Sequence, residues 1–468
     1  MAAVSPASMT STEFKKSLWD AANKLRGSVD AATYKYPVLG LVFLKYISDV
    51  FAAQREVIAR RLADPQSDYY VAEEEARYEV LTDFAEDRDF YTQDNVFWVP
   101  AEARYGTLLQ QASQPGLGQR LDAAMAAIEQ DNPKLRGVLY RDFARLPLEA
   151  GRLGELMEII ARMRFDPAAH GSRDVFGEVY EYMLGEFAMI EGKNAGQFYT
   201  ARSVVQTLVE VLAPFEGRVY DPCCGSGGMF VYSEKFIAAH GGRRRQLAIY
   251  GQELSATTRK LASMNLAIRG IDYDLGRSYG DTFLNDQHPD LRADFILANP
   301  PFNMADWGAD KLSEDPRWKY GLPPASNANY AWLQHIVARL ATGGRAGVVL
   351  ANGSMTTATG GEDAIRRGLL DADLVECMVA MPGQLFANTQ IPVCLWFFSR
   401  DKAPGKNGSE DRRKQVLFID ARRMGALLPG SRKQKALSEE EIAQIAGIYH
   451  AWRGTRWASG EYADEAGL

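Results

Sequence analysis

Cysteine and histidine are scarce in this sequence of 468 residues, with four cysteines and five histidines. The cysteines show no C-x-x-C pair or other metal-ligand spacing. We therefore expect neither a zinc site nor a disulfide framework from Cys223, Cys224, Cys377 and Cys394. The histidines are scattered, so histidine-based acid–base catalysis has no cluster on which to rest. The sequence predicts no metal centre and reduced thiols.

Long apolar runs are also missing. No uninterrupted apolar stretch reaches the ~18 residues that suggest a membrane-spanning helix, and the N-terminus lacks the apolar core of a signal peptide. Hydrophobic residues make up 46% and charged residues 24% of the chain, as in soluble globular proteins. We expect a cytoplasmic protein without a membrane partner, built of two or three domains at roughly 100–200 residues per domain.

The chain has no basic excess, because its formal net charge is −7. A protein that holds a DNA duplex alone usually carries clear positive charge, since neutralised phosphates supply much of its affinity. Three short basic segments, 243–245, 412–414 and 432–435, are each more often a solvated surface than a DNA contact. If the chain acts on DNA, its acidity points to a partner that reads the base sequence.

The sequence pattern divides the chain into three regions. Residues 1–164 show the apolar spacing of helices, with breaks at Asp64-Pro65 and Gln114-Pro115-Gly116. Residues 165–400 alternate helix and strand, with strands around Val219, Ile249, Phe295, Val348, Val375 and Leu395. Residues 401–468 add a strand at 416–420 and a helix at 438–452. We predict an α/β fold, in which an all-α domain precedes a doubly wound sheet domain and a short helical tail follows it.

The motif Asn299-Pro300-Pro301-Phe302 follows directly after the apolar run 295–298. The two prolines fix φ and disfavour helix, which keeps the side-chain oxygen of Asn299 and the carbonyl of Pro300 convergent at the end of a strand. Such acceptors suit an exocyclic amine on a flat ring, and Phe302 suits its face. The tetrapeptide alone fits a proline-rich turn equally well.

A glycine-rich turn follows the strand at Val219. The residues 222–228 read Pro-Cys-Cys-Gly-Ser-Gly-Gly and open a helix, and glycines without Cβ let a ligand approach the backbone. The spacing matches neither the dinucleotide pattern G-x-G-x-x-G nor the phosphate loop G-x-x-x-x-G-K-[ST]. The turn therefore favours a ligand with an amino-acid end over a pyrophosphate.

Two acidic residues follow the next predicted strands. Glu253 ends the strand at Ile249, where an acid usually holds a ribose diol. Asp281 supplies another carboxylate, suited to an adenine amine. Each also has an ordinary interpretation, Glu253 as an acid at a helix start and Asp281 as a turn residue. Their order along the chain, more than either residue alone, favours a ligand site.

Three motifs taken together resemble one family. Gly-Gln-Phe-Tyr-Thr at 196–200, Asp-Pro-Cys-Cys-Gly-Ser-Gly-Gly at 221–228 and Asn-Pro-Pro-Phe at 299–302 look like the modification subunit of a type I restriction-modification system, an adenine-N6 DNA methyltransferase. The likeness extends through 329–335, 344–350 and 391–397 and covers most of the chain. One departure is Ala201, where many relatives carry proline.

The resemblance implies a set of site residues. It makes S-adenosylmethionine the cofactor and Asn299, Pro300, Pro301 and Phe302 the catalytic residues. The residues that it assigns to the cofactor are Gln197, Phe198, Tyr199, Thr200, Ala201, Arg202, Asp221, Gly225, Ser226, Gly227, Gly228, Glu253 and Asp281. The implied partners are double-stranded DNA, a separate specificity subunit that binds two copies of this chain, and a restriction/translocase subunit.

The sequence pattern suggests roles for two further segments. We expect the long irregular stretch 303–328 to cover a flipped base, and the C-terminal helix to dock the specificity subunit through Ile442, Ile445, Ile448 and Tyr449. Packing of that stripe on the chain's own sheet is the alternative. Pro222-Cys223 resembles the nucleophile pair of cytosine-C5 methyltransferases but lies in the glycine-rich turn, so we do not expect catalysis by Cys223.

Two other functions fit part of the sequence. A protein-glutamine or ribosomal-RNA methyltransferase would share the Asn-Pro-Pro-aromatic motif. The long helical N-terminal region and the early Gly-Gln-Phe-Tyr-Thr segment argue against it. A non-enzymatic scaffold would keep the fold for assembly alone, and the intact motifs argue against that.

Overall fold

The computed structural model describes residues 11–24, 31–85, 87–147, 151–162, 172–191, 199–242, 246–386, 389–428, 431 and 433–464. The chain forms two compact units. Unit 1 comprises Met1–Glu191 with Ser263–Gly270, and unit 2 comprises Gly192–Ala262 with Ile271–Leu468. The predicted domain limits, 1–164, 165–400 and 401–468, stay predictions, because a division by contacts does not define independently folding domains.

Unit 1 is helical. Its helices are α1 (Ser11–Lys24), α2 (Ala31–Ala63), α3 (Glu74–Ala85), α4 (Asp89–Thr92), α5 (Tyr105–Gln110), α6 (Leu117–Asp131), α7 (Arg152–Ala161) and α8 (Ser172–Glu191). Both predicted breaks are confirmed. Helix α2 ends just before Asp64-Pro65, and α6 begins after Gly116, whose φ of +81° is a glycine conformation.

Helix α2 is long and apolar enough to cross a membrane by length and composition over Tyr34–Ala63. Its most apolar stretch is 78% buried inside the protein, as in the core helix of a soluble protein. Val38, Leu41, Phe43 and Leu44, for example, are fully buried. The apolar composition of α2 therefore has a structural explanation in the packing of the chain itself.

Unit 2 is built on an eight-stranded sheet of order β3-β2-β1-β4-β5-β7-β6-β8. The strands are β1 (Gly217–Asp221), β2 (Leu247–Gly251), β3 (Tyr273–Asp274), β4 (Ala293–Ala298), β5 (Leu340–Ala351), β6 (Val375–Ala380), β7 (Val393–Ser399) and β8 (Leu417–Asp420). Only β7 runs antiparallel to its neighbours. The predicted α/β class and all the predicted strands are confirmed.

Helices connect these strands. They are α9 (Arg202–Leu212), α10 (Gly228–Ala239), α11 (Ala256–Arg269), α12 (Asn329–Arg339), α13 (Glu362–Asp371) and α14 (Glu439–Arg453), with a small hairpin of β9 (Ala426–Leu427) and β10 (Lys435–Ala436). The strand order reverses between β1 and β4, which pair as Val219 with Phe295. Ligands of doubly wound sheets bind outside the carboxyl ends of the strands at such a switch point. Asp221 is the last residue of β1 at that edge, and Glu253 and Asn299 follow β2 and β4.

The C-terminal helix α14 packs on its own unit. A capping box of Ser438 and Glu441 begins the helix. Ile442, Ile445 and Tyr449 are buried, and Tyr449 Oη donates to Glu376 Oε2 at 2.7 Å. Three of the four apolar positions of the stripe are therefore buried within the chain, whereas Ile448 is half-buried, and docking of a specificity subunit by α14 stays a prediction. The sequence could not decide this, because an amphipathic stripe looks the same whether it faces its own sheet or a partner.

The long segment 303–328 is folded down onto unit 2. Trp307 and Trp318 are buried in one aromatic cluster with Phe283 and Trp332. Trp307 Nε1 donates to the Pro324 carbonyl at 3.1 Å, within the segment itself. Part of the segment is therefore packed against Phe283 and Trp332, and the expectation that the segment covers a flipped base stays a prediction.

Candidate active site

The side-chain amide of Asn299 is hydrogen-bonded at its nitrogen only, within the described part of the chain. Its Nδ2 donates to Thr200 Oγ1 at 2.9 Å. Its Oδ1 is buried and has no hydrogen-bond partner among the residues that the structure describes. An unpaired buried acceptor costs about 1–3 kcal/mol unless a ligand satisfies it. Thr200 thus fixes the orientation in which the oxygen of Asn299, and not its NH₂ group, is available to a ligand.

The rest of the motif is partly accessible. Pro300 is buried, whereas Pro301 and Phe302 are half-buried. The Phe302 ring meets the edge of the Phe386 ring, with centroids 5.9 Å apart and planes at 86°. The structure therefore adds Phe386 as a neighbour of the predicted motif, which the sequence did not reveal. Phe386 lies in the connection between β6 and β7, and no local pattern marks it.

The glycine-rich turn has the backbone that only glycine adopts readily. Gly225 and Gly227 have φ of +54° and +80°, and α10 begins at Gly228. A Cβ built on Gly228 would meet nothing within 4 Å. This open space at a helix N-terminus, bordered by backbone without side chains, fits the close approach of a ligand such as S-adenosylmethionine.

Two buried carboxyl groups flank the turn. Glu253 Oε2 accepts from Gly225 N at 3.0 Å and its Oε1 from Ser255 N at 2.8 Å, which leaves further lone pairs on both oxygens. Asp221 Oδ1 accepts from Cys223 N at 3.0 Å. The carboxyl of Glu253, which follows β2, is therefore hydrogen-bonded to the turn after β1.

Burial changes the acidity of these groups. It raises the pKa of Asp221 to about 7, with a smaller contribution from the charge of Glu253. It also raises the pKa of Glu253 above its ordinary value, against the hydrogen bonds from Ser255 and Gly225. Two poorly solvated carboxylates at one edge favour a cationic ligand, because a positive charge offsets their mutual repulsion. S-adenosylmethionine carries such a charge on its sulfonium.

Cys223 lacks the character of a nucleophile. Burial, followed by the charges of Asp221 and Glu253, raises the pKa of its thiol well above the ordinary value. A thiol must ionise to attack, so this environment disfavours catalysis by Cys223.

Asp281 takes part in a turn. Its Oδ1 accepts from the backbone N–H groups of Phe283 at 2.7 Å and Leu284 at 3.1 Å. Gln252, which sequence reasoning missed, holds the same loop from the end of β2. Its Nε2 donates to the Gly280 carbonyl at 3.0 Å. A buried glutamine before an acid offers no recognisable signal, because its role depends on a loop about thirty residues away.

The segment before α9 is described from Tyr199 onward, and Gln197 and Phe198 lie outside the described residues. Thr200 contacts Asn299, as given above. Ala201 has φ of −55°, which is the value that proline imposes, so alanine keeps the turn there. Arg202 is exposed and begins α9. Ser226 is buried in the glycine-rich turn.

Two family profiles and a curated relative match most of the chain. The family profile described as N-6 DNA Methylase matches residues 171–467, and that of the HsdM N-terminal domain matches residues 14–160. The chain is 46% identical over 358 residues to the type I restriction enzyme HindI methylase subunit of Haemophilus influenzae, which covers 75% of this chain and 77% of that protein.

A second relative and one solved structure extend the similarity to nearly the whole chain. The chain is 37% identical over 440 residues to the type I restriction enzyme MjaIX methylase subunit of Methanocaldococcus jannaschii, covering 92% of this chain and 76% of that protein. The crystal structure of a type I restriction-modification system methyltransferase subunit from Streptococcus thermophilus has the same fold. It matches with a TM-score of 0.76 at 24% identity, covering 95% and 94% of the two chains.

Proposed function

Because this chain belongs to the N-6 DNA methylase family, as the methylase subunit of a type I restriction-modification system, we propose that it methylates a flipped adenine at the edge formed by Asn299 and Phe302. It is an adenine-specific DNA methyltransferase that uses S-adenosylmethionine. The observation that carries the proposal is the buried, unpaired Oδ1 of Asn299. It supports a site that is complete only when a donor such as an amine N–H arrives.

The proposed chemistry needs few groups. The N6 amine of adenine is a weak nucleophile, because its lone pair is delocalised into the ring. Asn299 Oδ1 and the Pro300 carbonyl accept its two N–H bonds and so localise that lone pair as the nitrogen attacks. S-adenosylmethionine, when bound, supplies an electrophilic methyl group on sulfur. The N–C bond forms as the S–C bond breaks, and the surplus proton leaves the nitrogen to water.

Phe302 positions the base in this proposal. An adenine inside a duplex cannot reach the Asn299 oxygen, so the base must leave the stack and find a new flat partner. Phe302 supplies that face, and the edge-on contact with Phe386 keeps its ring from turning. The cost of unstacking is a few kcal/mol, which stacking on Phe302 partly offsets.

The proposed donor site lies at the ends of β1 and β2. The open backbone at Gly225–Gly228 takes the amino-acid end, and Glu253 accepts from the ribose hydroxyls with its remaining lone pairs. Leu254 follows Glu253 and is 61% exposed, so it offers an apolar face to the adenine ring of the cofactor. Asp281 stays a weaker proposal, because its Oδ1 already serves a turn.

The affinity for S-adenosylmethionine should depend on pH through the ionisation of Asp221. Its raised pKa of about 7 means that the carboxyl gains its negative charge between about pH 6 and 8, so the affinity for the cationic donor should rise over that range. Calorimetry with S-adenosylmethionine at pH 6, 7 and 8 measures this. Asp221→Asn should remove the rise, whereas Asp371→Asn, an exposed carboxyl on α13, should keep it.

The same pKa fixes the sign of a stability change. A carboxyl whose pKa is raised on folding binds its proton more tightly in the folded state, so its contribution to stability is lost as pH rises through about 7. Without donor, Asp221→Asn should therefore melt at a higher temperature than wild type at pH 8, with a smaller difference at pH 5. A lower melting temperature at pH 8, or an unchanged pH dependence of binding, would contradict the role of Asp221.

We further propose that a specificity subunit supplies sequence recognition, with two copies of this chain on one duplex and a restriction/translocase subunit as an additional partner in the cytoplasm. The net charge of −7 supports the need for such a partner. Gel-shift and methylation assays with plasmid DNA test it, first with the purified chain and then with the specificity subunit added. Sequence-specific methylation by the chain alone would contradict it.

A further inference from the structure

The small hairpin at residues 422–436, called the basic hairpin below, emerges at the same edge of the sheet as Asn299. Strand β8 is parallel to β6, and both run in the direction of β4 and β5, because β7 is antiparallel to β5 and β6. The carboxyl end of β8 at Asp420 therefore lies at the carboxyl edge. The basic hairpin follows directly from it and contains β9 and β10.

Backbone contacts connect the basic hairpin to the proposed base site. Lys435 N donates to the Gln384 carbonyl at 2.8 Å, and Gln434 Nε2 donates to the Leu385 carbonyl at 3.2 Å. The next residue, Phe386, makes the edge-on contact with Phe302. Gln434 and Lys435 of the basic hairpin are thus hydrogen-bonded to residues 384–385, next to Phe386. Phe386 in turn contacts Phe302, the proposed base-stacking ring.

The charge of the basic hairpin opposes that of the chain. Between 421 and 437 the sequence has no acidic residue and the basic residues Arg422, Arg423, Arg432, Lys433 and Lys435, in a chain of net charge −7. Arg422 pairs with Asp420 at 2.6 Å. Arg423 and Lys433 are exposed and form no ion pair with the part of the chain that the structure describes. Their charges are available to an anionic partner.

The exposed leucines of the basic hairpin complete the pattern. Leu427 is 51% and Leu428 37% exposed. A two-stranded ribbon fits a DNA groove, and apolar side chains flanked by basic ones are used to wedge into it. A protein partner would also cover leucines. The unpaired positive charges beside a proposed base site favour a polyanion over a protein surface.

We propose that the basic hairpin contacts the phosphates of the DNA duplex beside the flipped adenine, with Arg423 and Lys433 on the backbone and Leu427 and Leu428 toward the groove. The proposal rests on the proposed function, since it takes the Asn299 edge as the place where DNA arrives. It gives this acidic chain a local duplex contact of its own, next to the chemistry, in addition to whatever the specificity subunit contacts.

The test compares two pairs of charge removals at opposite edges of the sheet. Arg423→Gln with Lys433→Gln changes the basic hairpin. Arg413→Gln with Lys414→Gln is the matched control, because both residues are exposed and precede β8 at its amino end. Each pair removes two positive charges from the full chain, assembled with its specificity subunit. The probe is a short duplex of arbitrary sequence, because phosphate contacts do not depend on sequence.

Affinity for the duplex is measured by fluorescence anisotropy at a series of salt concentrations. Each phosphate contact contributes about 0.9 to the slope of log affinity against log salt, so the hairpin pair should reduce that slope by about two, and the control pair should leave it unchanged. A slope equal to wild type in the hairpin pair overturns the proposal. So does loss of the specificity subunit on size exclusion at an unchanged slope, which would make the surface a protein interface.

Two further readouts separate this proposal from the proposed function. Calorimetry with S-adenosylmethionine should give wild-type affinity in the hairpin pair, since neither residue lies at the donor turn. Methylation of plasmid DNA by the unaltered complex tests the proposed function independently. If the unaltered complex methylates adenine, but the hairpin pair leaves the slope of log affinity against log salt unchanged, only the hairpin contact is overturned.

Discussion

Replacing Asn299 with alanine should slow methylation by about 10²–10³-fold while leaving the affinity for S-adenosylmethionine unchanged. Removal of one preorganised acceptor costs about that much where charge develops in a transition state. The amide nitrogen of Asn299 donates to Thr200, and its oxygen is unpaired among the described residues. The hydrogen bond from Gly225 to Glu253 in the glycine-rich turn does not involve this side chain. Single-turnover methylation in the assembled complex gives the rate, and calorimetry gives the donor affinity. A wild-type rate would contradict the catalytic assignment.

The Thr200 hydrogen bond allows a sharper form of this experiment. In Asn299 only one orientation of the amide presents an oxygen, and Thr200 selects it. Thr200→Val should therefore slow methylation by about five- to tenfold, in keeping with the ~1 kcal/mol of one hydrogen bond. In Asn299→Asp both terminal atoms are acceptors, so adding Thr200→Val to that variant should have a smaller effect. Thr200→Ser keeps the hydroxyl and should keep the wild-type rate. If Thr200→Val slowed methylation equally in the wild type and in Asn299→Asp, Thr200 would act only through the S-adenosylmethionine site.

Replacing Gly228 with valine should weaken binding of S-adenosylmethionine by about tenfold to a hundredfold, which is the 1–3 kcal/mol of an overpacked site. A Cβ on Gly228 meets nothing within 4 Å in the protein, so the added side chain enters open space and should leave folding intact. Gly227 is less suitable, because its φ of +80° would strain any other residue and mix folding with binding.

Gly447→Val is the matched control for this change. Gly447 is also helical, in α14, and a Cβ there also meets nothing within 4 Å. Calorimetry should show full donor affinity for Gly447→Val and a loss for Gly228→Val, with similar melting temperatures for the two variants without donor. Undiminished affinity in Gly228→Val would move the donor site away from the N-terminus of α10.

The fold followed from sequence wherever local pattern and burial agree. The strands that contain Val219, Ile249 and Phe295 are short apolar runs between turn residues, and only a sheet buried on both faces satisfies such runs. The breaks before α3 and α6 followed from proline and glycine, whose backbone limits are independent of tertiary structure. These elements are decided by chemistry within a few residues of each position.

The parts that sequence could not supply depend on distant residues. The hydrogen bond from Asn299 to Thr200 joins positions 99 residues apart, and neither residue type predicts contact with the other. Tyr449 donates to Glu376, which is 73 residues away, so local pattern leaves the stripe of α14 open between its own sheet and a partner. Phe386 meets Phe302 only because the β6–β7 connection rises at the same edge as β4. In each case the topology of the sheet brings together groups that local periodicity treats separately.

The identity of the methylated base tests the central claim most directly. Plasmid DNA would be incubated with the chain, its specificity subunit and S-adenosylmethionine carrying a labelled methyl group, then digested to nucleosides and separated. The account predicts the label in N6-methyladenine, formed about 10²–10³-fold more slowly by the complex that carries Asn299→Ala. Label in a methylated cytosine, or N6-methyladenine formed equally fast by Asn299→Ala, would contradict it.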